Sequence, residues 1–124
     1  MGEPATGYRV IVHPGESADA LSREDVSRLF MKKSTKWSDG TPVVPVDQTL
    51  SSRVREVFSK DVHGKGAAAV DAYWQKQIFS GRGVPPVTMG SDAEVVAFVR
   101  STPGAIGYVA AGADTSGVMV VSID

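Results

Sequence analysis

"WSDGTPVVPVDQTLSSRVREVF", Trp37 to Phe58, holds a turn, a strand, a polar loop and a helix start in direct succession. Asp39-Gly40 marks the turn, since the Asp side chain bonds nearby backbone and Gly tolerates positive φ. "VVPVD" (Val43 to Asp47) is β-branched and reads as a short strand, with Pro45 directing it to a sheet edge or a strand end. "SSRVREVFSKDV" (Ser51 to Val62) reads as a helix capped by Ser51 or Ser52, with Val54, Val57, Phe58 and Val62 facing inward. A strand that runs through a polar loop into a helix presents free N–H groups at Ser51, Ser52 and Arg53. Hydroxyls of Thr49, Ser51 and Ser52 and the charge of Arg53 complete a candidate site for a small oxyanion. An ordinary N-capped helix has the same local pattern, so both readings stand at this point.

Strands and helices alternate on either side of this stretch. "YRVIVHP" (Tyr8 to Pro14) is a strand, "GESAD" a loop, and Ser22 to Lys33 a helix with Ser22 as N-cap and Asp25 three residues on. Leu21, Val26, Leu29 and Phe30 form its apolar face. "HGKG" interrupts the chain before a third helix, Ala67 to Gly81, with Val70, Tyr73, Trp74, Ile78 and Phe79 on its buried side. Gly81 reads as the residue that closes it. "GRGVPPVTMGS" is a loop with at most a short extended piece. Asp92 to Ser101 is a fourth helix, opened by Ser91 with Glu94 in capping-box spacing. "AIGYVAA" and "GVMVVSI" are two more strands, joined by the turn "GADTS". The aromatic residues fall mostly on inward faces. Trp37, in a turn, is the one expected to be partly exposed.

The chain has 124 residues, which favours one domain, and 42% hydrophobic with 22% charged residues is a globular balance. Its formal net charge is −1, with no basic stripe, which argues against nucleic acid as a partner. The absence of cysteine excludes disulfides, thiolate nucleophiles and Cys-based zinc sites. No apolar run spans a bilayer, and "MGEPATGYRV" lacks the pattern of a secretory leader. Residues 1–7 read as a frayed end or a cloning remnant.

Chemistry-bearing motifs are sparse. His13 ends the first strand and His63 lies in "HGKG", with no carboxylate partner suggested for either. No Gly-x-Ser-x-Gly elbow, His-x-x-x-His pair, calcium loop or Walker pattern occurs. The expectation is therefore no catalytic residue, no metal ligand and no cofactor.

The order of motifs resembles the phosphate-binding periplasmic proteins of ABC importers, the PstS-like group. "LSREDVSRLFMKKSTKWSDG" is similar to a family segment reading Leu-Ser-x-x-x-[Leu/Val]-x-x-[Ile/Leu]-Phe-x-Gly-Lys, then Trp-x-Asp-Gly. "VVPVDQTLSSRVREVF" takes the place of that family's phosphate loop and following helix. "YWQKQIFSGRGVPP" and "SDAEVVAFVRSTPGAIGYV" resemble its later helices, and Thr-Pro-Gly-Ala-Ile-Gly-Tyr at Thr102 to Tyr108 is the most specific match. The resemblance covers most of Tyr8 to Ala111.

It implies an α/β fold: a single three-layer lobe of the type II periplasmic-binding-protein kind. About four to five strands in a mixed sheet would be flanked by about four helices. Residues 8–124 would form that domain. The family carries two lobes and this chain is about one lobe long, so a second chain would have to supply a facing surface. The family loop reads approximately Arg-x-x-x-Ser-Gly-Thr. With Phe58 on the family Phe, Ser52 takes the Ser, Arg53 the Gly, Val54 the Thr, and Gln48 falls near the anion-binding Arg.

The resemblance thus implies a solute-binding module, not an enzyme, that takes phosphate or a related oxyanion at Thr49, Ser51, Ser52 and Arg53. An exported or periplasmic location is implied, with an ABC permease or another periplasmic or membrane protein as partner, or a second copy as a homodimer. The alternative is a degenerate lobe that acts as a protein-interaction or sensory accessory without phosphate transport.

Overall fold

The computed structural model describes residues 7–16 and 20–124. Most of the expected frayed end, residues 1–6, and residues 17–19 of the loop after Pro14 lie outside the described residues. Six strands form one sheet: β1 (Tyr8–Val12), β2 (Ala20–Leu21), β3 (Val44–Gln48), β4 (Val87–Met89), β5 (Ala105–Ala110) and β6 (Met119–Ile123). Their spatial order is β2-β6-β1-β5-β3-β4. β1 runs antiparallel to both of its neighbours, and the pairs β2–β6, β3–β5 and β3–β4 are parallel. Four α-helices are described: α1 (Arg23–Phe30), α2 (Arg53–Phe58), α3 (Ala67–Phe79) and α4 (Asp92–Ser101).

Strand alternation divides the core between two faces. On one face Tyr8, Val10 and Val12 of β1 and Ile106 and Tyr108 of β5 pack against Val26, Leu29 and Phe30 of α1 and Phe58 of α2. Phe58 stacks on Tyr108 with ring centroids 3.9 Å apart, and Phe30 meets Phe58 edge-on at 5.0 Å. On the other face Ile11, Val46, Ala105 and Val109 lie under Val95, Val96 and Val99 of α4. These faces make the helix–sheet–helix sandwich of the expected α/β lobe.

The "TPGAIGY" stretch has a steric explanation within this sandwich. Gly104 has φ +84°, and a Cβ there would lie 2.3 Å from the Pro42 carbonyl oxygen. A Cβ at Gly107 would lie 2.8 Å from Cγ1 of both Val46 and Val95, so the bare backbone lets α4 settle onto β5 and β3.

Helix starts follow their caps. Ser22 and Asp25 form a reciprocal capping box, with bonds of 3.0 and 3.2 Å. Ser91 caps α4, while the Glu94 carboxylate accepts the N–H of Gly90 at 2.8 Å. Ends depart further from expectation. α1 stops at Phe30 because Lys32 takes φ +61° and the N–H groups of Lys33 and Ser34 fold back to the Arg28 carbonyl. The second helix is α-helical only to Phe58, then widens into a π-helical turn, Ser59–His63, that ends at Gly64 with φ +74°. Gly81, at φ +71°, closes α3 as expected.

Several expectations are corrected. Trp37 is buried, not partly exposed: it packs in the first core and its Nε1–H donates to the Gly104 carbonyl at 3.0 Å. Phe79 is 96% exposed and Ile78 is also exposed, because α3 packs chiefly on the π-helical turn and turns its last apolar residues outward. β3 is an interior strand, and Pro45 sits near its start, before pairing with β4 begins at Val46. β4 is the short extended piece allowed for in the loop after α3, and β2 adds an unforeseen two-residue edge.

Candidate functional site

β3 delivers the chain to the candidate site. It ends at Gln48, the loop 49–51 follows, and Ser52 is the N-cap of α2. The loop is fixed by two backbone bonds, Thr49 N–H to the Met89 carbonyl (3.1 Å) and Ser52 N–H to the Thr49 carbonyl (2.9 Å). Thr49, Ser51 and Arg53 lie together on this segment with exposed side chains. Ser52 is half-buried, and its hydroxyl is engaged twice. It accepts the Arg55 N–H at 3.2 Å and donates to Oε1 of Gln48 at 2.9 Å.

Gln48 is the hub of a buried polar cluster. Its Nε2 donates to Oδ1 of Asp92 (2.8 Å) and to the Tyr108 carbonyl (3.0 Å). Its backbone N–H faces Oδ1 of Asp47 (3.0 Å) and the Tyr108 hydroxyl oxygen (3.1 Å). Its carbonyl accepts from Nη1 of Arg55 at 3.0 Å. The Tyr108 hydroxyl donates to Asp47, and Nε of Arg55 lies 3.5 Å from the same carboxylate. Asp92 also accepts the Ala110 N–H at 3.3 Å, so it ties the start of α4 to the end of β5.

Burial sets the electrostatics here. It pushes the Asp47 carboxyl above the usual carboxylate range, against the pull of Arg55, the Tyr108 hydroxyl and the Gln48 amide. Burial and the adjacent Asp47 raise the Tyr108 phenol, which keeps it a donor. Among the described residues, no buried side-chain nitrogen or oxygen lacks a partner. Arg55 is matched by Asp47, and the carboxylate of Asp92 stands beside Gln48. Within the cluster, the one cation, Arg55, is thus already paired.

The two histidines are separate. Nδ1 of His13 donates to the Val99 carbonyl at 3.1 Å. His63 bonds the Ser27 hydroxyl at 2.7 Å and meets Phe58 edge-on. Burial, then the charges of Lys65 and Arg55, lower its pKa to about 4.

Of the four expected ligand residues, only Ser52 joins the cluster. Sequence reasoning missed Asp47, Arg55, Asp92 and Tyr108. Arg55 had a readable signal: it lies three residues after Ser52 and three before Phe58, on the inward face of α2.

The family model described as a PBP superfamily domain matches residues 5–121. The chain belongs to the PBP superfamily. Among curated proteins no match is found. Solved structures place this PBP domain beside phosphate receptors in fold. An ABC-type phosphate transport receptor from Vibrio cholerae superposes with TM-score 0.75 at 15% identity, over 94% of this chain and 46% of that one. A protein from Clostridium perfringens, assigned as a phosphate ABC transporter substrate-binding protein and solved with bound phosphate, gives 0.71 at 21%, over 95% and 45%. PstS from Borrelia burgdorferi gives 0.67 at 12%, over 95% and 47%. The PBP domain thus spans less than half the length of these proteins. Among its described residues, no helix is long and apolar enough to cross a membrane.

Proposed function

We propose that this PBP domain is a binding module that keeps the scaffold of a phosphate-receptor lobe and works through its surface, as an interaction or sensory accessory rather than as a phosphate carrier. One observation carries this reading. Gln48 falls near the place where the sequence resemblance expects the anion-gripping Arg, and its side chain is consumed by Ser52, Asp92 and the Tyr108 carbonyl. Exchanging an Arg fork for a satisfied amide removes the strongest charge-assisted contact to an oxyanion. The role is binding, not catalysis. An exported or periplasmic setting fits it, with an ABC permease or another periplasmic or membrane protein as partner.

A second reading rests on Thr49, Ser51 and Arg53, whose exposed side chains share one loop with Ser52. There the domain takes phosphate or a related oxyanion, with a second copy as homodimer partner to close over it. Titration calorimetry with phosphate, sulfate and arsenate separates the two. The first reading expects no saturable heat at millimolar anion. A saturable isotherm, with a concentration-dependent dimer in sedimentation, establishes the second.

A further inference from the structure

α3 leaves a groove at its C-terminal half that the polar cluster does not reach. Its floor is Trp74, only 4% exposed, with Tyr73 edge-on at 5.1 Å. One wall is the turn that follows α1, with Lys32 and Lys33; the other is the loop after α3, with Arg82, Gly83 and Val84. Gly83 lies against the indole, where an added Cβ would stand 3.7 Å from the ring. Val84, in that lining, is 63% exposed.

The charge at this groove runs against the sign of the chain. The net charge is −1, yet the ionisable side chains lining the groove are Lys32, Lys33 and Arg82, with no carboxylate among them. None of the three forms an ion pair among the described residues. Lys32 also holds φ +61°, a conformation glycine adopts freely, and its Nζ reaches the Pro85 carbonyl at 3.5 Å across the groove. Exposed Val84 and half-buried Tyr73, set beside these three cations, complement a peptide that carries an apolar side chain flanked by carboxylates.

We infer that the groove between α1, α3 and the Arg82–Val84 loop docks an acidic, apolar-centred peptide segment of a partner protein. This names the surface for the accessory role and rests on that reading.

The test uses the full chain and a fluorescein-labelled peptide, Asp-Glu-Asp-Phe-Leu-Asp-Glu-Asp, followed by anisotropy. The control peptide has Lys at every acidic position. Saturable binding of the acidic peptide alone is expected, with the Gly83 amide shifting in NMR spectra. Lys33→Glu with Arg82→Glu should weaken it about tenfold or more, and Arg82→Gln alone by about threefold. Both residues are exposed, and circular dichroism checks that the fold is kept. The inference is overturned if the acidic peptide does not saturate at millimolar concentration, if the control binds equally, or if the variants bind unchanged. Sedimentation with phosphatidylglycerol vesicles in place of peptide binding would also overturn it. Tight phosphate binding would instead remove the accessory reading, so the two failures are distinguishable.

Discussion

Arg55 and Asp47 are both buried, and each is held in place by the other and by Gln48. Removing one partner strands the other in a low dielectric. Arg55→Met should therefore lower stability by about 3 kcal/mol, and Asp47→Asn added to it should recover much of that loss. Urea unfolding midpoints measure both. His63 gives a pH signature. Its folded pKa is about 4 against an ordinary 6.5, so between those values the folded chain binds fewer protons than the unfolded one. Stability should then fall as pH drops through that window, by about 2 kcal/mol after allowance for partial exposure, and His63→Gln should flatten the profile. Thermal unfolding at a series of pH values checks this. At this scale the sequence was readable where partners are close. The cap of α2 was narrowed to Ser51 or Ser52, whereas the bond from Tyr108 to Asp47 joins residues 61 apart. Trp37 was misplaced for the same reason, since its partner Gly104 is 67 residues away.

Elements were legible to the degree that their signals are local. Ser22 with Asp25, and Ser91, mark the starts of α1 and α4 because caps act within one turn. β1 and β5 are apolar enough to be read as strands without knowledge of their neighbours. β2 was not, and β4 only as a short extended piece within a loop, since two or three residues form a strand only when a neighbouring strand pairs with them. The π-helical turn is likewise tertiary: it brings Val62 into the core and His63 onto Phe58. The close fit of α4 on the sheet depends on Gly107. Gly107→Ala should cost about 2 kcal/mol through overpacking against Val46 and Val95. Gly112→Ala, with nothing near its added Cβ, should change stability by less than about 0.5 kcal/mol. Parallel melting curves of the two variants give the comparison.

For the molecule as a whole, the fold was inferable from the alternation of strands and helices and from the resemblance at Thr102 to Tyr108. The function was less so, because it turns on where polar side chains point. Thr49, Ser51, Ser52 and Arg53 read locally as an anion site, but the groups behind them satisfy one another. On the reading proposed above, the lobe shares the fold of phosphate receptors without their grip. The decisive measurement is a phosphate titration of the full chain, followed through the side-chain amide signals of Gln48. These signals should stay in place to millimolar phosphate, because both Nε2–H groups remain on Asp92 and Tyr108. A saturable shift of those signals at lower concentration, accompanied by shifts at Ser52 and Arg53, would contradict that reading.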